Sequence, residues 1–153
     1  MNTLTVIERP AQTVVGLQIR TKPQSPDIPA LWPKFVARLD EIPGAAEPNV
    51  SYGVMEHGDR VLEYAAAISV TSAGKLPAGM VAIALPAGTY ARWTCPLSGL
   101  GKCFGEIFNQ HLPKSGYVQA MGPFFERYDE KFDPADPGSQ VEIWIPVRRK
   151  TAG

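Results

Sequence analysis

The chain has no excess of charge of either sign: fifteen Lys and Arg balance fifteen Asp and Glu over 153 residues. Nucleic-acid affinity rests on a surplus of Lys and Arg that neutralises phosphates, so direct nucleic-acid binding is not expected. The one basic cluster, Arg148-Arg149-Lys150, reads as a solvated end. Long apolar runs are missing too. None approaches the ~18 residues of a membrane span, and MNTLTVIERP has neither the charged start nor the apolar stretch of a secretory leader, so a cytoplasmic protein without a membrane partner is expected. Cysteine and histidine are scarce, at two each. Cys95 and Cys103 stand eight apart with no CxxC or His-rich context, and His57 and His111 bear no spacing relation to them. No metal site and no cofactor are therefore expected, and the cysteines read as free, partly buried thiols. A chain of this length buries about two thirds of its unfolded surface without a disulfide framework, and one domain over residues 1–153 is the simplest organisation.

Proline and glycine are plentiful, at fifteen and fourteen, and they cut the chain into short segments. Residues 4–19 read as two strand-rich runs separated by Pro10, with Val14, Val15, Leu17 and Ile19 supplying strand character. From Asp27, a candidate N-cap, the period changes, and Leu31, Phe35 and Leu39 recur at helical spacing up to Pro43-Gly44. Trp32 lies beside that stripe. A hairpin follows: a strand over Val50–Glu56, a turn on His57-Gly58-Asp59, and a strand over Val61–Val70. Two further strands break at Pro86-Ala87-Gly88. Phe104, Ile107, Phe108 and Leu112 then mark a second helix, closed by Pro113 and Gly116. The chain ends on the strand FFERY, the polar connection DEKFDPADPGS, and VEIWIPV, in which Val141, Ile143, Ile145 and Val147 share one face. Glu142 and Trp144 point away from that face and read as exposed.

The two halves share the order strand, strand, helix, strand, strand, and they share letters. Ile7, Pro10, Ala11 and Thr13 recur as Ile83, Pro86, Ala87 and Thr89, and Tyr64–Val70 corresponds to Val141–Val147 at nearly the same offset. An internal duplication with repeats over about 3–73 and 79–149 follows. The expected fold is α+β: two β-α-β-β units pair into one antiparallel eight-stranded sheet with two helices on one face, and a cleft opens at the pseudo-twofold junction.

Under this duplication Tyr52-Gly53 corresponds to Phe125-Glu126. A carboxylate thus stands on one side of the junction where the other side has glycine. An acid inside an aromatic strand lies either on a wet face, where Arg92 is a candidate partner, or in an apolar pocket for a reason, since an unpaired buried carboxylate is costly. Aromatic residues that can line the cleft are Trp32, Tyr52, Tyr64, Tyr90, Trp93, Phe104, Phe125 and Tyr128, although core packing explains such residues as well. Aromatic faces around one carboxylate suit a lipophilic cation, each cation–π contact adding roughly 0.5–2 kcal/mol.

Leu31-Trp32, Ser51-Tyr52-Gly53, PAGTYA at 86–91, FERYD at 125–129 and the closing VEIWIPV together resemble the GyrI-like family. These are the effector-binding domains of AraC-type and MerR-type multidrug-sensing regulators and their stand-alone relatives. The resemblance covers nearly the whole chain. It implies the duplicated β-α-β-β fold and a pocket for amphipathic, often cationic compounds. It carries the pocket glutamate to Glu126, the tyrosine of SYG to Tyr52, a helix aromatic to Trp32 and a strand aromatic to Tyr64. Trp93 and Phe104 join this ligand-binding set by their proximity to PAGTYA and to the second helix. Such regulators place a helix-turn-helix ahead of the pocket, whereas this chain opens on the first strand. A regulatory role would then run through a protein partner, or the chain would sequester its ligand, as a monomer or homodimer.

Two other readings compete with this. Some relatives resemble hydrolases that open strained electrophiles with a pocket glutamate, and Glu126 with Tyr64 or Tyr128 offers such a base. No nucleophile with a base partner accompanies it, so binding is preferred and no catalytic residue is assigned. The acidic, proline-rich segment DEKFDPADPGS offers a surface for a protein partner of the kind a topoisomerase modulator has.

Overall fold

The structure, a computed structural model, describes residues 4–23, 25–57, 61–72 and 74–150. The strands are β1 (Thr5–Arg9), β2 (Gln12–Thr21), β3 (Ser51–His57), β4 (Leu62–Val70), β5 (Val81–Leu85), β6 (Gly88–Pro96), β7 (Tyr117–Gln119), β8 (Phe124–Tyr128) and β9 (Gln140–Arg149). The helix α1 (Asp27–Val36) separates β2 from β3, and α2 (Leu100–Glu106) follows β6 and runs into a π turn over Ile107–His111. The turn expected at His57-Gly58-Asp59 lies, past His57, outside the described residues. Asp27 is not the N-cap. It occupies the first turn, after Pro26 in the cap position, where its negative charge favours the helix dipole.

All pairings are antiparallel, in the order β1-β6-β9-β8-β3-β4-β2-β5, with the short β7 added to β9. Exchanging β1, β2, β3 and β4 for β5, β6, β8 and β9 reverses this order onto itself, so the sheet is a duplication in which each half supplies four strands with one helix between the second and third. The central pair is therefore β3 with β8, and its register sets Gly53 opposite Glu126.

The sheet buries both faces, and strand alternation decides which side chain goes where. On one face lie Tyr64, Ala66, Trp93, Val141, Ile143, Ile145 and Val147, and both helices pack there through Leu31 and Phe35 of α1 and through Cys103 of α2 with Ile107 and Leu112 just beyond it. Full burial of each such side chain contributes about 1.5–3 kcal/mol, and that burial holds these short helices. The other face carries no helix among the described residues and clusters Val14, Tyr52, Val54, Leu85, Tyr90, Phe125 and Trp144. Trp144 is thus buried, not exposed. It stacks on Phe125 with centroids 6.1 Å apart, and the Arg9 guanidinium covers it at 4.4 Å.

The cysteines also depart from expectation. Cys95 on β6 and Cys103 on α2 form a disulfide across a Cα separation of 6.0 Å. Their eight-residue spacing (103 − 95) joins the end of a strand to the helix that follows it, a proximity that spacing alone does not reveal. The segment between β8 and β9 is organised internally: the side chains of Asp129, Asp133 and Asp136 each accept a hydrogen bond from the amide two residues ahead. Its acidic residues cap local turns. No helix among the described residues is long and apolar enough to cross a membrane.

Candidate functional site

The two helices do not cover the centre of the sheet. Between them a cleft of about 500 Å³ opens onto β3, β4 and β8, a volume in the range of small-molecule sites. Met55, Leu62, Tyr64, Phe124 and Glu126 form its floor. One wall is Pro23, Pro26, Ile28 and Pro29, at and before the start of α1. The other is Leu100, Gly101, Phe104, Gly105 and Phe108 of α2 and its π turn. His57 lines the end where β3 stops, stacked on Phe124 at 5.3 Å.

Glu126 is the carboxylate of this apolar cleft, and it is 5% exposed. The Tyr64 and Tyr128 hydroxyls each donate to its Oε1 at 2.8 Å. Trp32 Nε1 in turn donates to the Tyr64 hydroxyl at 3.1 Å, and the Trp32 ring packs edge-on against Tyr128 at 5.3 Å. Both tyrosines use the same oxygen. No buried side-chain nitrogen or oxygen among the described residues lacks a partner, so Oε2 is reached from the cleft. Among the described residues no Lys, Arg or His pairs with Glu126. Burial accordingly raises its pKa, and the hydrogen bonds from Tyr128 and Tyr64 offset this only in part. Burial, and then the nearby Glu126 charge, push both tyrosines well above their ordinary value, so they remain donors.

Space for this carboxylate comes from its neighbour. A Cβ at residue 53 would run into the Tyr64 hydroxyl and the Glu126 carboxylate, so one side of the central pair supplies the acid and the other supplies room for it. Arg92 is not its partner. Arg92 lies on the opposite face beside Glu142, at 4.0 Å.

Of the six residues expected to bind ligand, Glu126, Tyr64 and Phe104 line the cleft. Trp32 stands one step behind, orienting Tyr64. Tyr52 does not reach the cleft: one residue from Gly53, it points through the other face, where its hydroxyl donates to Glu47 at 2.5 Å and its ring meets Phe125. Trp93 is on the helix side but only 1% exposed, buried in the core where α2 packs on β6. Several lining residues were missed although their positions carried a signal. Phe108 follows Phe104 by one helical turn. Phe124 precedes Glu126 at strand spacing, and Met55 and His57 continue the face of Gly53.

A second polar cluster lies on the helix-free face. Glu47 accepts hydrogen bonds from Tyr52, Ser69 (2.8 Å), Arg127 (2.9 Å) and Gln12 (3.0 Å), and Arg127 also meets Glu142 at 3.3 Å. Burial alone would raise the Glu47 carboxyl, but the Tyr52, Arg127 and Ser69 hydrogen bonds outweigh it and hold the pKa at about 2. Every charge there has a partner, which marks a structural brace. No cluster of three or more His, Cys, Asp or Glu placed to hold a metal occurs among the described residues.

Comparison with known proteins agrees with this fold. The chain is 34% identical over 146 residues to the transcriptional regulator BrlR of Pseudomonas aeruginosa, covering 93% of this chain and 54% of the regulator, so it spans about half the length of that relative. The integron cassette protein VCH_CASS2, from the mobile metagenome of Vibrio cholerae, superposes with a TM-score of 0.64 at 20% identity over 95% of both chains. The structure of SAV2435 bound to tetraphenylphosphonium gives a TM-score of 0.76 at 17% identity over 95% of this chain and 94% of that one. At such identities the two structures establish the fold alone. The family model described as Cass2, integron-associated effector binding protein, matches residues 5–147, and the chain belongs to that family.

Proposed function

We propose that the cleft binds amphipathic cations of drug-like size, with Glu126 as the counter-charge, and that the chain senses or sequesters such compounds. One observation carries this reading: a buried carboxylate with no cationic partner among the described residues presents one oxygen to a mostly apolar cleft. Leaving that charge uncompensated is costly, and a cation enclosed by Phe104, Phe108 and Phe124 would compensate it. The tetraphenylphosphonium bound to SAV2435 supports the same ligand class here. The regulator BrlR supports a regulatory setting and a cytoplasmic place, where cellular thiols would act on the Cys95–Cys103 bond.

The test is a thermal-shift comparison of lipophilic cations on wild type and Glu126→Gln. A cation at a hundredfold its dissociation constant adds about 2.7 kcal/mol to stability. That gain should vanish in the variant, and an undiminished gain would refute the assignment.

The hydrolase reading has one observation in its favour. A carboxylate whose pKa is raised by burial, held through Oε1 by two hydroxyls and open at Oε2, is suited to take a proton from a water. Turnover of a strained electrophile that is lost in Glu126→Gln would replace sequestration by catalysis.

A further inference from the structure

α2 is an unusual wall for a ligand cleft. Two of its seven residues are glycines, and Gly101 and Gly105 sit one turn apart. Leu100, Gly101, Phe104, Gly105 and Phe108 fall on a single helical face, and all five line the cleft. Glycine is a poor helix former, because it loses the most backbone freedom on ordering, so two in so short a helix call for a reason.

At Gly16 and Gly53 the reason is packing: a Cβ would enter the backbone of Ala66, or the Tyr64 hydroxyl and the Glu126 carboxylate. Neither packing nor backbone geometry explains Gly105. Its φ is not in the left-handed region, and a Cβ there would meet no heavy atom within 4 Å. Gly105 lines the cleft, and the place a side chain would take there is open. Breadth cannot readily be gained on the opposite wall, which is built on the rigid rings of Pro23, Pro26 and Pro29. The π turn that continues α2 sets Phe108 at the far end of the thinned wall.

We propose that Gly105 sets the breadth of the cleft and selects cations with several bulky arms around the charge over slender, single-armed ones. This rests on the cation reading above. Gly105 gives up helix stability to leave this space.

The test measures binding of tetraphenylphosphonium and benzyltrimethylammonium, with the neutral pair triphenylmethanol and benzyl alcohol, to wild type, Gly105→Ala and Gly105→Leu. Gly105→Leu should lose roughly tenfold or more in affinity for tetraphenylphosphonium, as filled pockets do, while benzyltrimethylammonium stays within about twofold. Gly105→Ala should raise the melting midpoint of the unliganded protein, since alanine is the better helix former, yet bind tetraphenylphosphonium more weakly. Equal weakening of both cations, or a lowered midpoint in Gly105→Ala, overturns the proposal. If neither cation binds wild type, the charge reading fails by itself, and breadth is then read from the neutral pair. Triphenylmethanol should be the one that Gly105→Leu excludes. Loss of both neutral probes alike, or binding of neither to wild type, overturns it.

Discussion

Gly53 and Glu126 lie directly opposite each other on β3 and β8, and the place a side chain at 53 would occupy is filled by the Glu126 carboxylate and the Tyr64 hydroxyl that binds it. The centre of a nearly symmetric sheet is thereby made asymmetric, with one acid and one vacant Cβ position. Gly53→Ala should cost about 1–3 kcal/mol through overpacking. It should also displace the carboxylate and weaken cation binding. Urea unfolding and calorimetry on the same variant would measure both.

The pH dependence of the unliganded protein follows from the raised pKa of Glu126. A carboxyl whose folded pKa lies above its unfolded value favours folding when protonated. Stability is therefore lost as pH rises from the ordinary 4.5 through the folded value. Glu126→Gln removes this loss, so its melting midpoint should exceed that of wild type at neutral pH, the two converging in acid. Cation affinity runs the other way, falling by up to about tenfold per pH unit below the folded pKa as proton and cation compete.

Tyr64 and Tyr128 are not equivalent supports. Each donates to Oε1 of Glu126, but Tyr64 also accepts from Trp32 Nε1. Tyr64→Phe and Tyr128→Phe should both raise the Glu126 pKa further, since each removes a donor to the charged form, and the pH midpoint of cation binding should move up in both. Only Tyr64→Phe should carry a further loss of about 1 kcal/mol, from the Trp32 N–H left without its partner. Denaturant melts of the two variants would separate these effects.

Much of this site was legible in the sequence, and alternation explains both what was read and what was not. The apolar face of β9, the Leu31 and Phe35 stripe of α1, and the correspondence of Gly53 with Glu126 all followed from period and offset. Tyr52 was misplaced although the same alternation held the answer: if Gly53 faces the cleft, its neighbour faces away. Trp93 is on the right face but at the wrong depth, and depth depends on where a helix settles. The Cys95–Cys103 bond and the Glu47 brace depend on distances between separate segments. Glu47 sits in a connection and draws its partners from Gln12, Tyr52, Ser69 and Arg127, which no local pattern records.

Glu47 braces the helix-free face, and its effect should be separable from the cleft. Its pKa is depressed from 4.5 to about 2, so it contributes stability above its unfolded pKa that is lost as pH falls toward the folded one. Glu47→Gln should cost on the order of 1–2 kcal/mol at neutral pH, since the half-buried cluster is partly screened by solvent, and progressively less in acid. Cation affinity should stay unchanged. Urea melts at several pH values, with cation titrations alongside, would check it.

Charge, and not shape alone, should recruit a ligand to Glu126. Tetraphenylphosphonium and tetraphenylborate have closely similar shapes and opposite charges, and titrating each calorimetrically into wild type and Glu126→Gln isolates the charge. Wild type should bind the phosphonium and reject the borate, and the variant should lose that preference. Equal binding of the two ions by wild type, or a preference that persists without the carboxylate, would mean that Glu126 is not the counter-charge.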